Sequence, residues 1–167
     1  MRDIDLKIAD RGGVYVVKAR GRANFEYAVP LRELVKNLVA FERFCIDLSE
    51  CTAMDSTFMG VLTMLALKLR RNQRQVELFN ASALLQKLLS ELGISKLFAF
   101  KTGSVNAGAG SAGRGKAELL TQAETIVEAH EALTQAEKAN AERFGQVIEL
   151  SRREAEKLRQ QSAEKQK

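Results

Sequence analysis

The stretch from residue 43 to residue 100 alternates between strand-type and helix-type patterns, and this alternation most constrains how the chain can fold. Phe44, Ile46 and Leu48 alternate with Cys45 and Asp47, which is typical of a strand. The elements predicted after it are a buried helix over 57–71, a strand over 76–80, a helix over 83–92 and a strand over 97–100. This order requires parallel strands joined by right-handed crossovers. The sequence therefore predicts an α/β fold with helices packed on a sheet of four or five strands.

The residues before this stretch predict a hairpin and a helix. Residues 4–9 and 13–20 carry β-forming residues, and Gly12 and Gly13 between them suit a tight turn. Residues 27–40 have apolar residues at helical spacing, with Pro30 tolerable in the first turn. We therefore expect residues 1–101 to form one domain.

A Gly-, Ala- and Ser-rich segment separates this domain from a helical tail. Residues 102–115, TGSVNAGAGSAGRG, hold little that can bury apolar surface, which favours a flexible linker. Residues 116–167 are rich in good helix formers, and their apolar residues follow a narrow heptad seam that includes His130. Three interpretations remain open: a weak coiled coil, a helix docked on the domain, or a solvated helix that awaits a partner. We interpret His130 as a tolerated or register-setting polar residue of the seam.

Composition and charge exclude several classes of protein. The chain is 46% hydrophobic, but its apolar stretches are shorter than the roughly 20 residues that span a bilayer. Cys45 and Cys51 lack zinc-site spacing and fit a reducing compartment, so we expect a cytoplasmic protein without stable membrane insertion. Residues 1–103 carry 16 Lys and Arg against 11 Asp and Glu, and the remaining residues carry 10 of each. Because no aromatic residues accompany the one basic cluster, at residues 68–74, we do not expect nucleic-acid binding.

The sequence Asp55-Ser56-Thr57 stands where a strand gives way to a helix. Its simplest role is to cap the first N–H groups of that helix. A phosphoryl group on a hydroxyl here is also compatible with the helix dipole, and it would place about two negative charges on the surface that a partner meets. A catalytic Ser–His pair is not expected, because the one His lies in the tail. Without a Gly-rich phosphate loop or a metal-type cluster, the sequence predicts neither an enzyme nor a cofactor nor a bound metal.

The order of elements and the segment FCIDLSECTAMDSTFMGVLTMLALKLRR resemble the STAS domain of the anti-sigma factor antagonist family over roughly residues 3–101. In that family a strand ends in Asp-Ser-Ser/Thr-Gly-Leu-Gly, and here Asp55, Ser56, Thr57 and Gly60 match. The resemblance implies that Ser56 is the phosphoacceptor of a serine kinase that is also an anti-sigma factor. It further implies that the unphosphorylated form binds this kinase and that the phosphorylated form releases it.

Two segments depart from the family pattern and bear on the partner surface. Phe58 and Met59 stand where the family has Gly and Leu, which indicates either a side chain folded back into the core or an altered partner surface. The family's Gly-Glu-x-Asp turn appears as Gly21 to Asn24, with Arg22 in place of Glu and Asn24 in place of the Asp that helps form the kinase-facing site. The residues expected to contact the partner are Asp55, Thr57, Phe58, Met59, Arg22 and Asn24.

Two functions follow from this resemblance and from the tail. The first is a regulatory protein that binds an anti-sigma factor serine kinase and is switched at Ser56. Its tail would self-associate weakly or not at all, because the seam is largely Ala and polar residues. The alternative is an unphosphorylated STAS adaptor or scaffold subunit, in a signalling complex or as a lipid-transport accessory, which assembles through its C-terminal helix.

Overall fold

The computed structural model describes residues 7–105 and 118–166. Its elements, in chain order, are β1 (Lys7–Arg11), β2 (Val14–Ala23), α1 (Phe25–Asn37), β3 (Arg43–Met54), α2 (Ser56–Arg70), β4 (Val76–Phe79), α3 (Ala83–Glu91), a 3-10 turn (Ser95–Leu97), β5 (Phe98–Lys101), α4 (Leu119–Ala136) and α5 (Asn140–Lys165).

The strands form one sheet in the order β1-β2-β3-β4-β5. β1 pairs with β2 in the antiparallel sense, and the other three pairs are parallel, as the alternation of strands and helices predicts. Gly12 and Gly13, with φ of 60° and 91°, form the turn of the predicted hairpin. The fold class and the predicted parallel sheet of an α/β domain are therefore confirmed.

β3 is longer than the sequence pattern predicts. Its apolar alternation ends at Leu48, but pairing with β2 continues to Met54, opposite Ala23. The register shifts twice along β2, and the second shift follows Gly21, whose φ is 66°. The extension carries the end of β3 up to the turn between β2 and α1.

The helices of the domain cover one face of the sheet. Phe44, Ile46 and Leu48 of β3 belong to the main hydrophobic core, together with residues of α1, α2 and α3. The intervening Cys45 faces the other side, where it forms a smaller cluster with Val16 and Phe79. Successive strand residues point to opposite faces, so this division follows from the pleat.

The tail forms two helices, which pack against each other and against the domain. Ion pairs join Glu124 to Arg159 and Glu131 to Arg152, so α4 and α5 run antiparallel. The chain reverses between them, where the buried Asn140 side chain donates hydrogen bonds to the carbonyls of Leu133 (2.9 Å) and Leu92 (3.0 Å). The Asn140 amide thus satisfies a carbonyl in the last turn of α4 and connects the turn between α4 and α5 to the C-terminal end of α3.

This arrangement corrects the expectation of a single seam running through one tail helix. Leu133 and Phe144 of the predicted seam are buried, but Leu119 and Val147 are 66% and 39% exposed, because the helix breaks and each half turns its own face inward. Of the three interpretations of the tail, the structure shows a helix docked on the domain. The predicted linker over 102–115 falls largely outside the described residues, and the proposed domain boundaries stay a prediction.

Candidate functional site

The predicted site lies where β3 ends and α2 begins. Asp55 is the N-cap of α2, and its carboxylate accepts a hydrogen bond of 2.8 Å from the Phe58 N–H. Its own N–H donates to the carbonyl of Ala23, which joins this corner to the turn between β2 and α1. The capping role expected of the segment is thus filled by Asp55, which leaves the Ser56 hydroxyl free to contact another element.

The Ser56 hydroxyl contacts the tail. Its Oγ lies 2.9 Å from Nε2 of His130, a residue of α4 that is 74 positions later in the chain. The other ring nitrogen, Nδ1, lies 2.7 Å from the carbonyl oxygen of Ile126. Because a carbonyl only accepts, we assign the proton to Nδ1, and Nε2 then accepts a hydrogen bond from the Ser56 O–H.

His130 is neutral in this position. It is 2% exposed, its ring packs 4.9 Å from that of Phe144, and burial lowers its pKa. The Ile126 carbonyl and the Asp55 carboxylate favour the charged form but do not offset the loss of solvation. The neutral imidazole therefore holds the Ser56 hydroxyl as a donor.

The contact corrects the expectation that no Ser–His pair could form. That expectation assumed that the tail lies apart from the domain, whereas α4 packs directly on α2. The pair lacks a carboxylate partner on Nδ1, which is satisfied by a backbone carbonyl of its own helix. It therefore fixes the orientation of a hydroxyl and joins two parts of the chain.

Gly60 brings the two helices close together. A Cβ placed on Gly60 would lie 2.4 Å from the carbonyl oxygen of Ala129 and 2.6 Å from its carbonyl carbon. No side chain larger than hydrogen fits there unless the α4 backbone moves. The next turn of α2 is also covered, since Thr63 is fully buried and its hydroxyl donates back to Met59.

A buried arginine joins α4 to α1. The Arg32 side chain is 4% exposed, and its Nε donates a hydrogen bond of 2.5 Å to Glu128, while Glu124 lies 3.6 Å from its NH2 group. Lys36 also pairs with Glu128, at 3.1 Å. Burial raises the pKa of Glu128, but the hydrogen bonds from Arg32 and Lys36 outweigh burial and leave the pKa lowered. The glutamate therefore stays charged, as a buried guanidinium requires.

The residues predicted beside Ser56 are largely interior. Thr57, Phe58 and Met59 are 7%, 0% and 5% exposed, and the Phe58 ring meets that of Tyr27 edge-on, with centroids 6.4 Å apart. Phe58 thus occupies the first of its two expected positions, folded back into the core. Asp55 is half-buried, and burial raises the pKa of its carboxyl, although backbone N–H groups and His130 oppose this shift.

The turn between β2 and α1 supplies the remaining predicted residues. Arg22 is exposed. Asn24 is the N-cap of α1, where its side chain accepts a hydrogen bond of 2.9 Å from the Glu26 N–H. Because Ala23 accepts from the Asp55 N–H, Arg22 at the end of β2 and Asn24 at the start of α1 lie near Asp55 and Ser56.

Other chemistry finds little support in the part of the chain that the structure describes. Those residues include no group of three or more His, Cys, Asp or Glu side chains arranged to hold a metal ion. Among them, no helix is both long and apolar enough to cross a membrane. A depression of 430 Å³ between α1, α2 and α4 is lined by Met64, Lys68 and Arg71, toward the end of α2 remote from Ser56.

Sequence reasoning missed His130, Gly60 and the pair of Arg32 with Glu128 as parts of one site. His130 stood out only as a polar residue within an apolar seam. The periodicity of a helix does not predict which surface the helix packs against. These contacts join residues that are 69 to 96 positions apart in the chain, the longest being Arg32–Glu128.

Comparison with known proteins identifies the domain that carries this site. The solved structure of the anti-sigma factor antagonist SpoIIAA in its unphosphorylated form matches with a TM-score of 0.53 and 14% identity, over 59% of this chain and 88% of that one. A putative anti-sigma factor antagonist from Thermotoga maritima matches with a TM-score of 0.49 and 14% identity, over 60% and 87%. No relative is found among curated protein sequences. A family model described as "Mlab, STAS domain" matches residues 7–99, which leaves α4 and α5 outside it, and the chain therefore belongs to this STAS domain family.

Proposed function

We propose that this chain is a regulatory protein, similar in action to anti-sigma factor antagonists, which binds an anti-sigma factor serine kinase and is switched by phosphorylation of Ser56. The observation that carries the proposal is the position of the Ser56 hydroxyl at the first residue of α2, after a cap supplied by another side chain. A phosphoryl group there would meet the positive end of the helix dipole without removing the cap.

Burial favours Ser56 over its neighbour as the acceptor. Thr57 is 7% exposed, whereas Ser56 is only half-buried. A kinase must reach the attacking oxygen, so the more accessible hydroxyl of the two is the better substrate. The surface that the kinase would meet includes Asp55 and the adjoining Arg22 and Asn24, and a dianion on Ser56 would change its charge enough to weaken binding.

The expected setting is a cytoplasmic protein that needs no cofactor, acts without catalysis of its own and binds neither nucleic acid nor membrane. Its partner is a protein, and its tail contributes weak self-association or none. α4 supports the last point, because its buried face is already used against the domain within one chain.

Purification of the chain from native cells, followed by intact-mass analysis, tests the proposal. We expect a kinase to co-purify and the mass of one phosphoryl group to appear on the wild type and on Thr52→Ala, an exposed hydroxyl of the same strand that serves as the control. Ser56→Ala should lose the modification and retain the kinase. Equal modification of Ser56→Ala and wild type would reject Ser56 as the acceptor.

A second function is favoured by the hydrogen bond between Ser56 and His130. A hydroxyl already held by a buried imidazole suits an adaptor or scaffold subunit that is never phosphorylated, in a signalling complex or as a lipid-transport accessory. Such a subunit would assemble through its C-terminal helix, on which Val147 and Leu150 are 39% and 59% exposed. Constitutive assembly that depends on α5, with no modification of Ser56, would support the adaptor.

A further inference from the structure

α4 covers the corner on which the proposed switch depends. It contacts Ser56 through His130, Gly60 through the backbone of Ala129, and Arg32 through Glu128. These contacts lie along α2 and α1, so one rigid helix closes over the hydroxyl, the helix that follows it and a buried cation. The family match ends at residue 99, before α4 begins.

A phosphoryl group on Ser56 conflicts with the contact that its Oγ makes to His130 while α4 is in place. The Oγ and Nε2 atoms are already at hydrogen-bonding distance, 2.9 Å, and the imidazole is 2% exposed. At Gly60, one turn further along α2, the two backbones are also in contact, so the space between α2 and α4 does not widen there. The new dianion would also lie next to the carboxyl of Asp55, and like charges repel.

The contacts of α4 are of a kind that can be exchanged. Its buried apolar side chains are Leu133 and three alanines, Ala123, Ala129 and Ala132, which hide little apolar surface for a helix of 18 residues. The rest of the contact is polar, and both Glu124 and Glu128 keep about 30% exposure, so water can replace their partners. A helix held in this way opens more readily than the core helices do.

We propose that docking of α4 and phosphorylation of Ser56 exclude each other, so that α4 is an internal competitor of the kinase for one face of α1 and α2. With α4 docked, the Ser56 hydroxyl is held against His130; with α4 undocked, it is fully available to the kinase, and a phosphoryl group on Ser56 prevents α4 from docking again. This inference rests on the proposed function for the identity of the modifying enzyme, but not for the exclusion itself.

The contacts of α4 also indicate what kind of partner helix can bind the same face of α1 and α2. A helix that replaces α4 needs a small residue opposite Gly60, because the backbones touch there. It needs acidic residues four positions apart, as Glu124 and Glu128 are, to pair with Arg32 and Lys36. We therefore expect a partner to bind this face through a helix that carries a small residue opposite Gly60 and acidic residues four positions apart.

The exclusion is tested on the full-length protein made with phosphoserine at position 56. Hydrogen exchange is measured at the amides of α4, residues 119–136. We expect exchange at least about tenfold faster than in the unmodified chain, whereas Ser56→Ala, which loses one hydrogen bond, should stay within about threefold. Unchanged protection of α4 in the phosphoserine protein would overturn the inference, whether or not cells phosphorylate Ser56.

A second experiment weakens the docking of α4 by a substitution in the domain. Gly60→Ala places a methyl group against the Ala129 backbone, whereas Gly145→Ala, on α5, meets nothing within 4 Å and serves as its control. We expect Gly60→Ala to speed exchange in α4 and to acquire the phosphoryl group faster than wild type in native-cell extract with ATP. Faster exchange without faster modification would overturn the competition.

A third experiment changes only α4, so its outcome does not depend on whether Gly60→Ala folds normally. Glu124→Gln with Glu128→Gln weakens the pairing with Arg32 and leaves the domain unaltered, and Glu131→Gln, which pairs with Arg152 of α5, is its control. Hydrogen exchange in α4 should be faster than in wild type for Glu124→Gln/Glu128→Gln and unchanged for Glu131→Gln. If no chain is modified in the extract, including the variants with faster exchange in α4, phosphorylation of Ser56 is rejected, and the phosphoserine protein still decides whether α4 is excluded.

Discussion

The hydroxyl of Ser56 donates to Nε2 of His130 across 2.9 Å, and this one hydrogen bond joins the start of α2 to the middle of α4. Its donor lies inside the STAS domain and its acceptor outside the residues that the family model matches. Any change in the charge of either residue therefore acts on how the tail packs. A change at Ser56 can therefore be detected as a change in how α4 packs on the domain.

Docking of α4 should weaken as the medium becomes acidic. Burial lowers the pKa of His130 from its usual 6.5, so the undocked imidazole takes up a proton more readily than the docked one. The contribution of neutral His130 is complete above about pH 6.5 and is lost as the pH falls through the lowered pKa, by at most about 1.4 kcal/mol per pH unit. Hydrogen exchange of α4 between about pH 7.5 and 5.5, corrected for intrinsic rates, measures it.

His130→Gln isolates this effect. The amide can still accept from Ser56 but does not titrate, so the loss below about pH 6.5 should disappear. Across from the ring stand the Asp55 carboxylate on α2 and the apolar Phe144 on α5. Because Asp55 is present in both proteins, its own titration largely cancels in the comparison. A wild type whose α4 protection does not change with pH would contradict the assignment of a neutral buried imidazole.

A double-mutant cycle should detect strong coupling between Arg32 and Glu128. The guanidinium is 4% exposed, so Glu128→Gln leaves a buried charge poorly paired, and Arg32→Met removes that charge. We expect a coupling free energy of about 1–3 kcal/mol in urea unfolding at neutral pH. The exposed pair of Arg153 with Glu149, within α5, is the control and should couple by no more than about 0.5 kcal/mol. Equal coupling in the two cycles would mean that Arg32 does not hold α4.

Phe58→Ala should act on stability. The ring is fully buried beside Tyr27, and its truncation leaves a cavity that should cost about 3–5 kcal/mol. Phe25→Ala, at a ring that is 39% exposed, is the control and should cost less than about 1 kcal/mol. Urea unfolding measures both. A Phe58→Ala protein of normal stability that fails to bind its partner would instead place this side chain on the partner surface.

The sequence predicted those parts of the fold that depend on local pattern. The apolar spacing along α2 and the Gly12-Gly13 turn each lie within a few residues, and both are present. The end of β3 was missed because residues 49–54 pair through their backbone, whereas side-chain alternation stops at Leu48. In the site, the cap at Asp55 follows from its place before a helix, but the partner of Ser56 depends on how α4 docks, and no local pattern encodes that.

Removal of the tail should cost more than its composition suggests. A weakly apolar seam after a flexible linker predicts that residues 1–103 melt within a few degrees of the whole chain. In the structure, however, Leu133 is fully buried in the main core, and Ala129 covers Gly60. Burial of one leucine alone contributes about 2 kcal/mol, so truncation after residue 103 should lower the melting temperature by at least about 4–8 °C.

The same truncation should change the state of association. The full-length chain uses the inner face of α4 within one molecule and should sediment as a monomer or a weak dimer. The truncated chain exposes the α2 surface that Ala129 covers at Gly60, and newly exposed apolar surface favours self-association at higher concentrations. Sedimentation of both proteins across a concentration series separates the outcomes. A full-length oligomer that becomes monomeric on truncation would favour the adaptor, because assembly would then depend on the tail.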